Sequence, residues 1–159
     1  MKPETFKAER VTKTAQFVVN AEIDKAFPLF GAFEERKWEP IWNPELIYPE
    51  TEIIEEGTTF KTEGRGEEPE FLWRVTKFEE GKHLIQYLVS TENRYWTITV
   101  QCLSEMDNLA QTLVNVTYTY IGLNEAGNRL NKADLECMYS DNLSDWAESI
   151  NSYLELEGA

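Results

Sequence analysis

Histidine and cysteine are nearly missing from this chain. It holds one histidine, His83, and two cysteines, Cys102 and Cys137, in 159 residues. That is too few ligands for a clustered zinc-type site. It also leaves no credible Ser-His-Asp or Cys-His arrangement, and GxSxG is absent. Basic residues are scarce as well: 15 Lys and Arg against 29 Asp and Glu give a net charge of −14. Such a surface repels phosphate backbones and anionic membranes, so nucleic acid is not an expected partner. No run approaches the ~20 apolar residues of a membrane helix, so no membrane insertion is expected. The opening MKPETFKAERVTK lacks the apolar stretch of a secretory signal. The expected compartment is therefore the cytoplasm, with both cysteines as thiols. The GRG string at 64–66 joins two strands instead of opening a helix, so it is no phosphate loop. Neither a cofactor nor a metal is expected.

Aromatic rings are what the chain has in quantity: 8 Phe, 7 Tyr and 5 Trp. Burying one such ring removes roughly 150–250 Å² from water, a gross gain of ~4–6 kcal/mol at about 25 cal/mol per Å². Twenty rings supply much of a core, or the lining of something hollow. The length suits one domain, expected over 10–159 after a loose N-terminal tail over 1–9.

RVTKTAQFVVN (10–20) is rich in β-branched residues and reads as a strand. AEIDKAFPLFGAF (21–33) has helical spacing broken by Pro28, and FEERKW extends it until Pro40 ends it. Then the period becomes two. Segments 58–64, 70–81, 83–90, 94–105 and 109–122 alternate apolar and polar residues between short turns, which predicts an antiparallel meander. Phe60, Phe71, Trp73, Val75, Ile85, Tyr87, Val89, Trp96, Ile98, Val100, Val114, Val116, Tyr118 and Tyr120 share its apolar face. The opposite face is rich in Thr. From Arg129 to Leu156 there is neither proline nor glycine, and apolar residues recur at three and four. A helix over that span would reach ~40 Å and cover the sheet.

One strand, two short helices, a meander and a long closing helix predict an α+β helix-grip fold, a curved antiparallel sheet wrapped on the C-terminal helix. With the strings FVVNAEIDKAFPLF, ERKWEPIWNPELIYPE, EEGTTFKT, WRVTKFEEGK, VNVTYTYIGL and LSDWAESINSYLE, the chain resembles the START-like (SRPBCC) superfamily. That group includes the birch pollen allergen and polyketide cyclase/dehydrase-like proteins. The resemblance spans about residues 10–156 and carries no catalytic signature. It implies a hollow between sheet and helix.

The candidate wall of that hollow is Phe60, Trp73, Tyr87, Trp96, Tyr118 and Tyr120 from the sheet, with Met138, Tyr139 and Trp146 from the helix. Trp38 and Trp42 join them from the proline-punctuated stretch 35–50, with Tyr48 expected at the rim; each ring either closes the core or touches a ligand. His83 shares parity with Ile85 and Tyr87, which would put it at the cavity mouth, though a lone histidine at a strand end is more often structural or exposed. Glu34, Glu35 and Glu39 lie near the rim, where a buried carboxylate could gain a raised pKa. Three functions stay open. The first is binding of a small, largely apolar, lipid-like or aromatic ligand. The second is an enzyme like the polyketide cyclases or dehydratases, working through Tyr87, Tyr118, His83 or Glu35. The third is a protein-interaction module.

Overall fold

The computed structural model of the chain describes residues 5–105, 107–139 and 143–158, without the side chains of Met138 and Tyr139. Among the described residues, seven strands form one antiparallel sheet: β1 Arg10–Val19, β2 Glu45–Tyr48, β3 Thr59–Arg65, β4 Glu68–Glu79, β5 Leu84–Ser90, β6 Arg94–Ser104 and β7 Thr112–Gly122. Their spatial order is β1-β7-β6-β5-β4-β3-β2, so the first strand returns to pair with the last. Between β1 and β2 lie helix α1, Ile23–Ala26, and two 3-10 turns, Phe27–Phe30 and Glu34–Lys37. Helices α2, Glu125–Tyr139, and α3, Ser144–Gly158, end the chain.

Alternation places the apolar face as expected. Phe60, Trp73, Val89, Trp96 and Tyr120 form one register row across β3 to β7. Val75, Tyr87, Ile98 and Tyr118 form the next. All of these side chains are buried except Trp73, which is partly so. On the opposite face, polar side chains bond across strands: Thr14 with Thr117 at 3.0 Å, Gln16 with Asn115 at 2.6 Å and Gln86 with Thr99 at 2.8 Å. Such pairs each add a few tenths of a kcal/mol and keep a wet face sheet-like. A register shift between Val75 and Lys77 marks an irregularity in β4, the kind of bulge that bends a strand.

Three features depart from the periodicity. The strand β2 falls within the proline-rich stretch, between Pro44 and Pro49; four residues between two prolines show no usable alternation. The expected single closing helix is two helices, because Leu143 stands between them with φ of 57°, outside the right-handed helical region. Its side chain is buried all the same. The helical segment also begins earlier than Arg129: Asn124 Oδ1 accepts the Gly127 N–H at 2.8 Å, capping α2. Gly127 is required there, since a Cβ would sit 1.8 Å from the Asn93 carbonyl oxygen.

Where α2 meets the sheet, a charge is buried. Arg94 shares strand parity with Trp96 and points inward, only 2% exposed. Its Nη2 and Nε donate to Glu68 at 2.6 and 3.0 Å, and its Nη1 donates to Asp134 of α2 at 2.7 Å. The guanidinium lies 4.6 Å from the Trp96 ring centre. Removing one partner of a buried pair leaves an uncompensated charge. Glu68→Ala is therefore expected to cost about 3–5 kcal/mol in urea unfolding. A loss below ~1 kcal/mol would show that Asp134 alone satisfies Arg94.

Candidate functional site

The segment 27–42 decides what covers the open part of the apolar face. Ala26, Phe27, Leu29 and Phe30 are buried, which pulls α1 and the first 3-10 turn onto the sheet. The next turn, Glu34–Lys37, is too short to fold as an independent helix. Two tryptophans on its C-terminal side hold it in place. Trp38 Nε1 donates to the Leu29 carbonyl and Trp42 Nε1 to the Ala32 carbonyl, both at 2.7 Å. Pro40 and Pro44 flank Trp42 and lower the entropy lost in fixing this stretch.

Under that segment lies a cavity of about 170 Å³. Its rings come from three directions: Trp38 and Trp42 from the segment, Trp73, Tyr87 and Tyr118 from the sheet, and Trp146 from α3. Phe30, Ala32, Ile98 and Val100 complete the apolar wall, and Glu35 and Glu39 supply its carboxylates. The rings meet edge to face. Trp42 and Trp73 have centroids 5.2 Å apart at 81°, and Trp73 and Tyr87 are 5.8 Å apart at 81°. Trp38 and Trp146 are 5.7 Å apart, closing the side under α3.

Six of the expected wall positions are thus brought together: Trp38, Trp42, Trp73, Tyr87, Tyr118 and Trp146. Three others do not line this cavity. Phe60 is fully buried and stacks on Trp73 at 5.5 Å. Trp96 and Tyr120 stack on each other at 5.2 Å and pack on Arg94. The side chains of Met138 and Tyr139 fall outside the described residues. Tyr48 is 57% exposed on β2 and forms no rim. Of the two readings of His83, the structure has the structural one: β5 starts at Leu84, and His83 is a turn residue with φ of 53°. Its Nε2 lies 2.8 Å from Asp24 Oδ1 and its ring meets Phe27 edge-on, away from the cavity. A left-handed turn residue breaks the parity that places it with Ile85 and Tyr87 in the sequence. Among the described residues no group of three or more His, Cys, Asp or Glu is placed to hold a metal ion. No helix there is long and apolar enough to cross a membrane.

Glu35 is the chemically distinctive member. Burial, reinforced by repulsion from Glu39, pushes its carboxyl up from 4.5 to about 8. Glu35 is half-buried and lines the cavity. Arg36 and Lys37, its basic neighbours, point elsewhere: Arg36 bonds Glu52 at 2.6 Å and Lys37 bonds Glu34 at 2.5 Å. Across the cavity Tyr87 donates its hydroxyl to the Phe30 carbonyl at 2.7 Å. Burial, and secondarily the Glu35 charge, hold that phenol well above its ordinary value. At neutral pH the site therefore presents a protonated carboxyl and a neutral phenol in an aromatic enclosure.

A carboxyl with a raised folded-state pKa contributes stability that is complete below its unfolded value and is lost as pH climbs to the folded one. For Glu35 the loss runs from 4.5 to about 8. Glu35→Gln should match the parent near pH 4 and exceed it by up to ~4 kcal/mol at pH 8, read from denaturant melts at both pH values. Equal stability at pH 8 would mean that Glu35 ionises as freely as a solvent-exposed carboxylate.

Neither a protein-family model nor a curated protein matches the chain. Solved structures do match its shape. A truncated norcoclaurine synthase from Thalictrum flavum superposes with a TM-score of 0.68 at 11% identity, over 96% of this chain and 98% of that one. Major latex-like protein 151 from Panax ginseng gives 0.60 at 14%, over 93% and 97%. The Mll3558 protein from Rhizobium loti gives 0.59 at 13%, over 91% and 99%. At such identities the likeness is one of architecture alone: a curved antiparallel sheet with a C-terminal helix, the helix-grip arrangement expected from element order.

Proposed function

We propose that this chain binds a small, largely apolar molecule, about the size of one aromatic ring, in the cavity between the sheet, the 27–42 segment and α3. The observation that carries this reading is the aromatic enclosure of about 170 Å³. An engineered apolar cavity of ~150 Å³ accepts benzene, so a single ring fits here. Drug-sized ligands ordinarily occupy ~300–1,000 Å³, so sterols and long acyl chains are poor fits. Edge-to-face rings already anchored by hydrogen bonds lose little freedom when a guest arrives. A cytoplasmic setting is consistent with this role.

A second reading has one specific observation behind it. A carboxyl at about 8 near a buried phenol suits general acid–base work at neutral pH, as in a cyclase or dehydratase. The carrier reading comes first because it needs only the enclosure.

Four of the five tryptophans line the cavity, so intrinsic fluorescence reports occupancy. Titration with benzyl alcohol or cyclohexanol should give a saturable emission change, with cholesterol giving none. Val100→Phe places a ring in the cavity and should weaken binding at least tenfold while the circular dichroism spectrum is kept. Undiminished affinity in that variant would place the bound molecule elsewhere and sink the proposal.

A further inference from the structure

All four titratable side chains on the cavity wall, Glu35, Glu39, Tyr87 and Tyr118, are acids, and among the described residues no basic side chain lines it. This contrasts with the other deeply buried charge. Arg94 is met by two carboxylates and an amide oxygen, whereas Glu35 is paired with no cation among the described residues. The two cations of its own turn face Glu34 and Glu52. A second cleft of about 280 Å³ includes Glu34 and Glu52 in its lining, and the cations of this turn pair with both of those carboxylates and not with Glu35.

The geometry points to a small organic cation, an alkyl- or arylalkylammonium, as the occupant of the cavity, with Glu35 as its counter-charge and the indole and phenol rings as its walls. This rests on the cavity being a binding site and adds the charge of the guest. Four indoles and two phenols surround the space, and the negative faces of such rings attract cations, indole most strongly. A neutral guest supplies no counter-charge and leaves Glu35 protonated, whereas a cation gains by pairing with the carboxylate. An anion would meet Glu35 and Glu39 with like charge. The chain's net charge of −14 adds a long-range field that concentrates cations.

Binding is coupled to proton release. In the empty cavity Glu35 holds its proton up to about pH 8. A quaternary ammonium pairs with the carboxylate, so the carboxyl O–H bond breaks and the proton leaves to solvent as the ion pair forms. The other titratable groups on the same wall are Glu39 and Tyr87, both close enough to interact with Glu35 electrostatically, and Tyr118 from β7.

The test is calorimetric titration of the full chain at constant ionic strength, in buffers of different ionisation enthalpy. The probes are tetramethylammonium and benzylammonium; tert-butyl alcohol and benzyl alcohol are their neutral counterparts in shape. Tetramethylammonium should bind about tenfold more tightly per pH unit from pH 6 to pH 8 and level off above, releasing close to one proton per cation at pH 7. Glu35→Gln should lose at least tenfold in cation affinity at pH 8, release no proton and still bind the alcohols. Its thermal melt at pH 8 confirms the fold. If the alcohols bind as tightly as the cations, without pH dependence, the cation assignment is overturned and the cavity reading stands. A pH slope that survives in Glu35→Gln also overturns it. If neither cations nor alcohols bind, the cavity reading fails and takes this inference with it.

Discussion

Two indole N–H groups hold the site together. The bonds from Trp38 to the Leu29 carbonyl and from Trp42 to the Ala32 carbonyl tie an otherwise irregular segment to itself across nine and ten residues. A buried hydrogen bond is worth about 1 kcal/mol net. Its larger effect here is directional: each ring is turned so that its N–H is satisfied by backbone and its apolar surface faces inward. With buried Phe33 packed on Phe60, those anchors hold the Glu34–Lys37 turn over the sheet and keep Glu35 on the cavity wall. The enclosure, the position of the carboxyl and its raised pKa all depend on that arrangement.

The interior contains charge in two opposite conditions. Around Arg94, the sheet and α2 deliver Glu68 and Asp134 to one guanidinium, with Trp96 and Tyr120 stacked beside it. This pairs strands β4 and β6 with a helix and fixes where α2 lands. At Glu35 nothing comparable is delivered, and the group responds by keeping its proton. A paired charge makes a joint that is costly to open. An unpaired acid in an aromatic hollow makes a site whose properties change with what enters it.

Strand faces are readable in advance because alternation is a property of neighbouring residues. Each position of the expected apolar face, from Phe60 to Tyr120, is inward in the fold, and the helix-grip architecture follows from element order. Arg94 is readable too, once its parity with Trp96 is followed: it stands on the apolar side of its own strand. Strand β2 is hidden, since two prolines bracket four residues that show no burial alternation. The turn at His83 and the break at Leu143 each depend on one residue adopting positive φ. Neither residue type announces that conformation, because only surrounding packing makes it tolerable.

The sequence by itself determined the sheet, its wet and dry faces, the need for a covering helix and a supply of rings for either a core or a hollow. Short-range periodicity carries those properties, and the hydrophobic effect acts on them wherever the segments end up. Only the tertiary structure decided which rings border empty space and which acid borders it with them. Trp96 and Tyr120 were spent on Arg94, and Glu35 was left without a cation because its basic neighbours found partners on the other side of the same turn. Desolvation and charge balance are sums over everything within a few ångströms, and that neighbourhood is drawn from segments far apart along the chain.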